Sequence, residues 1–210
     1  MSERTDQELL LAWRAGDRDA GSELITRHTG SLHGFLVNKV QAPDIAEVVS
    51  ATLENCVRSI DNFRGESTFR TFLFSVARNT VLNFYRKRRR SPKIAEAELG
   101  SIVEMGAGPT TMIAAHEEQR LLIEGLRRLP IDDQILLELY YMEEMSAAEI
   151  AVVYETVEPT IRGRIHRAKG RLAQIVSAIS TDPAALTRTL TDLEGWARSI
   201  RSRRDTKPGG

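Results

Sequence analysis

The sequence predicts an all-α fold, built as two small helical domains joined by a flexible linker, the second a helix-turn-helix domain. Three observations predict it. Apolar residues recur at three- and four-residue spacing through almost the whole chain. No segment sustains the apolar–polar alternation of a half-buried strand. Between residues 91 and 114 the helical period is broken by Pro92, Gly100, Gly106, Gly108 and Pro109. With 210 residues, 41% of them hydrophobic and 28% charged, the chain has material for two cores and is not a disordered one.

Each element follows from its own pattern. Leu9, Leu10 and Trp13 start a first helix, and Leu24, Ile25, Leu32, Phe35, Leu36 and Val40 mark a second. Pro43 and Asp44 open a third, with Ile45, Val48, Val49, Leu53, Cys56 and Ile60 on one side. Residues 61–67, containing Gly65, read as a loop. A fourth helix follows over about 68–88, its inner face carrying Phe69, Leu73, Val76, Val81 or Thr80, and Phe84. After the linker, a second helical block spans about 116–177. The expected divisions are therefore 1–91, a linker over 92–114, 115–177, and an extension over 178–210 in which Leu186, Leu190, Leu193, Ile200 and, less regularly, Trp196 suggest one more amphipathic helix.

Charge is balanced overall, 29 basic against 29 acidic residues, but it is segregated. Residues 64–93 hold Arg64, Arg70, Arg78, Arg86, Lys87, Arg88, Arg89, Arg90 and Lys93 against Glu66 alone. Residues 161–171 hold Arg162, Arg164, Arg167, Lys169 and Arg171 with no acid. Two concentrated basic patches in a neutral chain point to two separate polyanion contacts. The single cysteine, Cys56, excludes an internal disulfide framework and reads as a small core residue rather than a reactive thiol. The polar N-terminus does not read as a signal peptide, and no apolar run approaches the ~20 residues that span a bilayer. A cytoplasmic protein is expected. Histidines at 28, 33, 116 and 166 lack metal-ligand spacing, so neither metal, cofactor nor enzymatic chemistry is expected.

In the second block, Leu129-Pro130 ends one helix, and Asp132 or Asp133 can cap the next. Ser146-Ala147-Ala148-Glu149 is a capping-box pattern opening a short helix with Ile150 and Val153 inward. Pro159 suits the first turn of the helix that follows. At 100° per residue, Ile161, Ile165, Ala168, Leu172 and Ile175 form its apolar stripe. Thr160, Arg162, Gly163, His166, Arg167 and Gly170 point away from the stripe, with Arg164, Lys169 and Arg171 on its flanks. An apolar back and a cationic, hydrogen-bonding front are what a helix needs to meet phosphates and base edges in a major groove. A solvated surface helix shares the charge pattern but not the short capped helix and tight turn before it.

The first block carries a second constellation. Residues 61–72 combine a glycine loop, aromatic rings and arginines, and they run into Arg78-Asn79, Asn83, Tyr85 and the basic run 86–90. Cations beside rings and amides suit unpaired DNA, whose bases stack on rings while their edges meet amides. Phe69 reads as core, whereas Phe63 and Phe72 suit core and base stacking equally.

At these residues the chain resembles the extracytoplasmic-function (ECF) sigma factors of RNA polymerase. Phe63-Arg64-Gly65-Glu66-Ser67-Thr68-Phe69-Arg70-Thr71-Phe72-Leu73-Phe74-Ser75-Val76-Ala77-Arg78-Asn79 follows the family pattern F-R-G-E-S-x-F-R-T-W-L-Y-x-I-A-R-N almost throughout. Leu129-Pro130, Glu149-Ile150-Ala151, and Thr160-Ile161-Arg162-Gly163-Arg164-Ile165-His166-Arg167-Ala168-Lys169 follow in the family's order, the last matching T-V-K-S-R-L-H-R-A-R. The resemblance covers about residues 5–176.

It implies that the first block is similar to sigma region 2 and the second to region 4. Asn62, Phe63, Arg64, Gly65, Glu66, Ser67, Arg70, Phe72, Arg78, Asn79, Asn83, Arg86 and Lys87 would then melt and hold the −10 promoter element. Pro159, Thr160, Arg162, Gly163, Arg164, His166, Arg167 and Lys169 would read the −35 element. Asp44, Glu47, Val48, Ser50, Ala51, Glu54, Asn55 and Arg58 would bind core RNA polymerase, and an anti-sigma factor is an expected regulatory partner.

The chain departs from the family in three places. The usual D-L-V-Q-E-x-F is Glu47-Val48-Val49-Ser50-Ala51-Thr52-Leu53, and Phe72 replaces a Trp. Tyr154-Glu155-Thr156-Val157 replaces L-G-I-S, so Glu155 is expected in a backbone conformation that favours glycine. The rival reading is a helix-turn-helix regulator that binds duplex DNA without polymerase.

Overall fold

The computed structural model describes residues 4–37, 39–63, 65–90, 117–179 and residue 195. Among them are eight α-helices and no strand, as the apolar spacing predicts. The expected linker over 92–114, the side chains of Arg89 and Arg90, and nearly all of the 178–210 extension lie outside the described residues.

The first bundle holds α1 (Asp6–Arg14), α2 (Arg18–Val37), α3 (Ile45–Ser59) and α4 (Phe69–Arg90). A capping box starts α1. The Thr5 hydroxyl accepts the Glu8 N–H at 3.3 Å and the Glu8 carboxylate accepts the Thr5 N–H at 2.7 Å. That backbone hydrogen bond holds the Glu8 carboxyl below its ordinary range. Gly16, at φ +102°, makes the turn that ends α1, and Asp17 caps α2 by accepting N–H bonds from Asp19 and Ala20 at 3.0 Å. The Trp13 ring lies across Gly21, where a Cβ would come within 2.7 Å of it, so glycine sets the α1–α2 approach. Leu9, Leu24, Leu32, Phe35, Leu36, Val48, Cys56, Phe69, Leu73, Phe74, Ala77 and Val81 fill the core. Cys56 is thus the small core residue its spacing suggested, and burial pushes its thiol up to about 12.

The second bundle holds α5 (Glu117–Arg127), α6 (Ile131–Tyr141), α7 (Ala147–Val153) and α8 (Glu158–Ile179). The Ser146–Glu149 capping box forms as predicted, with Ser146 Oγ accepting the Glu149 N–H at 3.2 Å and Glu149 accepting the Ser146 N–H at 2.8 Å. Two details differ from expectation. Asp132 and Asp133 do not cap α6: Pro130 holds the cap position without a side-chain hydrogen bond, and both acids lie within the first turn. On α8 the buried stripe ends at Val176, with Ile175 only half-buried, because Val176 seats against Gly125 of α5.

The bundles pack on each other through α4 against α6 and α7. The seam is polar. Lys39 Nζ donates to Glu138 Oε2 at 2.5 Å and to the Phe35 carbonyl at 2.6 Å, and it lies 3.6 Å from the Phe35 ring centroid. The Lys39 side chain is 0% exposed and that of Glu138 4%. The amide of Gln134 donates to the other Glu138 oxygen at 2.9 Å. Such a pair offsets its own desolvation only through this complete set of partners, and removing one member would strand the other at a cost of about 3–5 kcal/mol.

Candidate nucleic-acid interface

Two surfaces collect the residues that the sequence singles out. On α8, Ile161, Ile165, Ala168 and Leu172 are buried against the bundle, while Pro159, Thr160, Arg162, Gly163, His166, Arg167 and Lys169 are exposed. Nothing lies within 4 Å of a Cβ built at Gly163 or Gly170. Glycine at those positions leaves the outer face low without serving any contact inside the chain. Arg162 is held along the helix by Glu158 at 2.9 Å. Arg164 is not on the open face: its side chain is 28% exposed and bonds Asp132. Arg171 similarly pairs with Asp133, at 2.7 Å from Nε.

The turn before α8 has the geometry expected of it. Glu155 sits at φ +50°, the left-handed region, with its N–H on the Val152 carbonyl at 3.1 Å. The Thr156 N–H reaches the Ala151 carbonyl at 2.9 Å. The turn is thus closed by backbone hydrogen bonds, and Glu155 bears the strain that glycine would avoid. A second such residue, Glu144 at φ +51°, precedes α7 and carried no signal in the sequence.

The first-bundle surface is built from the loop after α3 and the outer side of α4. Gly65, at φ +76°, makes the turn. Phe63 is only 8% exposed, its ring centroid 4.8 Å from that of Phe72, and Phe72 also lies 6.1 Å from Phe69. The open choice at Phe63 therefore resolves toward core, with Phe72 half-buried at its edge. Next to this pair lies a cleft of about 280 Å³, lined by Ser59, Phe63, Glu66, Ser67, Phe72, Ser75 and, from α7 of the other bundle, Val152. Further along α4, Asn79, Asn83, Arg86 and Lys87 are exposed, and Arg86 donates to Asn83 Oδ1 at 3.1 Å. Arg64 and the side chain of Asn62 lie outside the described residues.

Arg70 and Arg78 are already engaged. Arg70 donates to the Glu143 carbonyl at 2.5 Å and to its carboxylate at 2.9 Å. Arg78 reaches Asp132 Oδ1 at 3.0 Å from Nε and 2.8 Å from the terminal nitrogen. Arg78 and Arg164 stack on the Tyr154 ring at 4.0 and 4.6 Å from its centroid. The Tyr154 hydroxyl donates to the Asp132 carbonyl at 2.8 Å. Burial first, and then the Asp132 charge, push that phenol above its ordinary range, so it remains a donor. Sequence reading missed these acids as partners of α4. The available signal was Asp132, Asp133 and Glu138 on an otherwise largely apolar helix, with Glu143 just beyond its end.

On α3, Glu47, Ser50, Glu54 and Arg58 are exposed along one face, as expected of a protein contact. Val48 is 1% exposed and belongs to the core, so its place in the expected polymerase set is corrected. The apolar stripe that the same helix needs claims it. Ala51 is half-buried, Asn55 donates to Thr80 at 3.2 Å, and Asp44 pairs with Arg88 at 2.6 Å, so these three carry structural roles within the bundle. Val57, 51% exposed on the outer face, was not singled out by the sequence.

Comparison with known proteins follows the same two bundles. Residues 24–91 match the sigma-70 region 2 family and residues 119–172 the sigma-70 region 4 family. The "ECF RNA polymerase sigma-E factor" of Haemophilus influenzae is 31% identical over 173 residues, covering 79% of this chain and 92% of that protein. Its counterpart in Escherichia coli K12 is 28% identical over 178 residues, covering 80% and 93%. CnrH, solved in complex with the cytosolic domain of CnrY, superposes with a TM-score of 0.60 at 22% identity, covering 83% of this chain and 99% of that one. RpoE of Bartonella quintana, solved with the anti-sigma factor NepR, also gives 0.60, at 19% identity and with coverage of 76% and 98%. These two likenesses establish the fold.

Proposed function

The chain belongs to the ECF family of sigma-70 factors and is an RNA polymerase sigma factor, and from that premise we propose how its surfaces divide the work. The second bundle reads the −35 element with the outer face of α8, through Thr160, Arg162, His166, Arg167 and Lys169, with Pro159 and Gly163 shaping the approach. The first bundle holds the melted −10 strand along α4 and the loop before it, through Gly65, Glu66, Ser67, Arg70, Phe72, Arg78, Asn79, Asn83, Arg86 and Lys87. The exposed face of α3, with Glu47, Ser50, Glu54, Val57 and Arg58, meets core polymerase.

The observation that carries this reading is α8. It has one wholly apolar face seated in its bundle and an opposite face of exposed cations and hydrogen-bonding groups, entered through a capped short helix and a tight turn. Partners follow from the family: core polymerase, promoter DNA, and an anti-sigma factor like the one bound to the Bartonella relative. The chain directs transcription without catalysing a step itself. No described helix is long and apolar enough to cross a membrane, which fits a cytoplasmic site of action.

The test is to mix the full chain with core polymerase, follow co-elution by size exclusion, and assay promoter opening on genomic promoter fragments. Co-elution with strand opening supports the reading. Tight binding to duplex DNA without polymerase, and no co-elution, would replace it with that of a polymerase-independent regulator.

A further inference from the structure

The carboxylates of this chain treat the cations of α8 unequally. Arg164 is met by Asp132 and Arg171 by Asp133, both from α6. Arg162 is met from its own helix by Glu158. Among the described residues, Arg167 and Lys169 are exposed and pair with no carboxylate. Glu158 is the first residue of α8, so Arg162 stands one turn beyond it on the same flank. Nε of Arg162 donates to Glu158 Oε1 at 2.9 Å, and Nη2 donates to the same oxygen. The Arg162 side chain is 70% exposed and that of Glu158 40%, so the pair is wet and adds little to stability. What it changes is the set of donors that Arg162 can still offer. The side edge of the guanidinium, Nε with one Nη2 hydrogen, is taken. The end edge, Nη1 with the second Nη2 hydrogen, stays open, and its parallel N–H groups match O6 and N7 of guanine in a major groove. Nothing lies within 4 Å of a Cβ built at the adjoining Gly163, so the helix surface beside the guanidinium is open.

We propose that Glu158 is a positioning residue for sequence reading: it holds Arg162 as the reader of one guanine in the −35 element and keeps it off the phosphates. The inference rests on the reading of α8 as the −35 helix and adds which of its cations confers sequence preference. An arginine in a groove has the phosphates on either wall as competitors for the base, because they accept the same bidentate fork. Phosphate contacts position the protein and carry no sequence information. With Glu158 on Nε and Nη2, the charge of Arg162 is already met and one of its two bidentate edges is occupied. The phosphate option is weakened twice, while the end-on contact to guanine remains. Arg167 and Lys169, which no carboxylate meets, are left to supply the phosphate attraction.

The test uses holoenzyme assembled from the full chain and core polymerase. Its probes are duplex fragments of a promoter that the wild type opens, substituted at each −35 base in turn and titrated over a range of salt. Glu158→Ala frees the guanidinium. Promoter affinity at low salt should rise, log affinity should fall with log salt more steeply by about one, and preference for one guanine should drop on the order of tenfold. Arg162→Lys keeps the charge and loses the fork, so it should lose preference at that same guanine. A residue that merely stabilised the start of α8 would on removal weaken all sequences alike and leave the slope as it was.

Unchanged or uniformly weakened binding across the −35 substitutions in Glu158→Ala overturns the role of Glu158 and leaves the reading of α8 standing. So does loss of preference at different positions in the two variants. A wild-type holoenzyme indifferent to every −35 base overturns the reading of α8 itself. If the alanine chain does not fold, Glu158→Gln decides, since it removes the charge and retains a carbonyl acceptor. A steeper salt slope in that variant supports the proposal, and a slope equal to that of the wild type overturns it.

Discussion

Replacing Gly125 by alanine should loosen the hold of α5 on the DNA-facing helix α8, and the structure sets the size of the effect. A Cβ at position 125 would stand 2.5 Å from Val176 Cγ2 and 3.1 Å from Leu172 Cδ1. The leucine methyl can swing aside. The valine cannot, since its branched side chain is stiff at χ1 and the residue is 0% exposed. Overpacking of this kind costs about 1–3 kcal/mol, against a gain of about 1 kcal/mol in helix propensity on replacing glycine. The net expectation is a loss of up to about 2 kcal/mol.

In a Val176→Ala background the clash disappears and the new methyl enters the vacated space, so the same substitution should become stabilising by about 1 kcal/mol. The sign reversal is the signature, and a double-mutant cycle isolates it. Peptide-level hydrogen exchange across α8 is the assay, with about 1.4 kcal/mol corresponding to a tenfold change in protection when exchange tracks the opening equilibrium. Equal effects of Gly125→Ala in both backgrounds would refute the close approach of α5 and α8.

The remaining predictions address the turn, the buried thiol and the reading face. Glu155→Gly should stabilise the second bundle by about 0.5–1 kcal/mol, because relief of about 1–2 kcal/mol of left-handed strain exceeds the extra unfolded-state entropy of glycine. Thermal melting would show a lower midpoint if the strain were absent. Cys56 should be silent to Ellman's reagent in the native chain and titrate as one thiol in guanidinium. Its folded-state value, about 12, lies above its ordinary 9.0. The stabilisation from the protonated thiol is therefore complete below pH 9 and is lost as pH rises toward 12, a loss that a Cys56→Ala chain should not show. Arg167→Ala in the holoenzyme should cost about 1–3 kcal/mol of promoter affinity if the guanidinium reads a base edge. If it meets phosphate instead, the salt slope should fall by about 1. No change in either quantity would remove Arg167 from the reading face.

Helix identities, the division into two bundles, the Ser146–Glu149 cap and the left-handed turn at Glu155 were all legible from residue order, because each depends on neighbours within a few positions. The outward and buried faces of α8 were legible for the same reason, since helical geometry alone assigns them. Where two uses compete for one residue, order does not decide. Val48 suits both a partner-facing helix and an apolar stripe, and only the packing of α3 against α2 and α4 decides that it is core. Phe63 became core because Phe72 arrives from the next helix to cover it.

The pairing of the two bundles lay furthest from the sequence. Asp132 and Arg78 are 54 positions apart, and Lys39 and Glu138 are 99 apart. Local pattern reported only a capping acid and a basic run. Sequence by itself determined which side chains carry charge and on which helix face each one stands. Tertiary structure alone decided which of those charges meet, because ion pairing depends on distance through space, and that distance is set by how α4 packs on α6 and α7 rather than by any spacing along the chain.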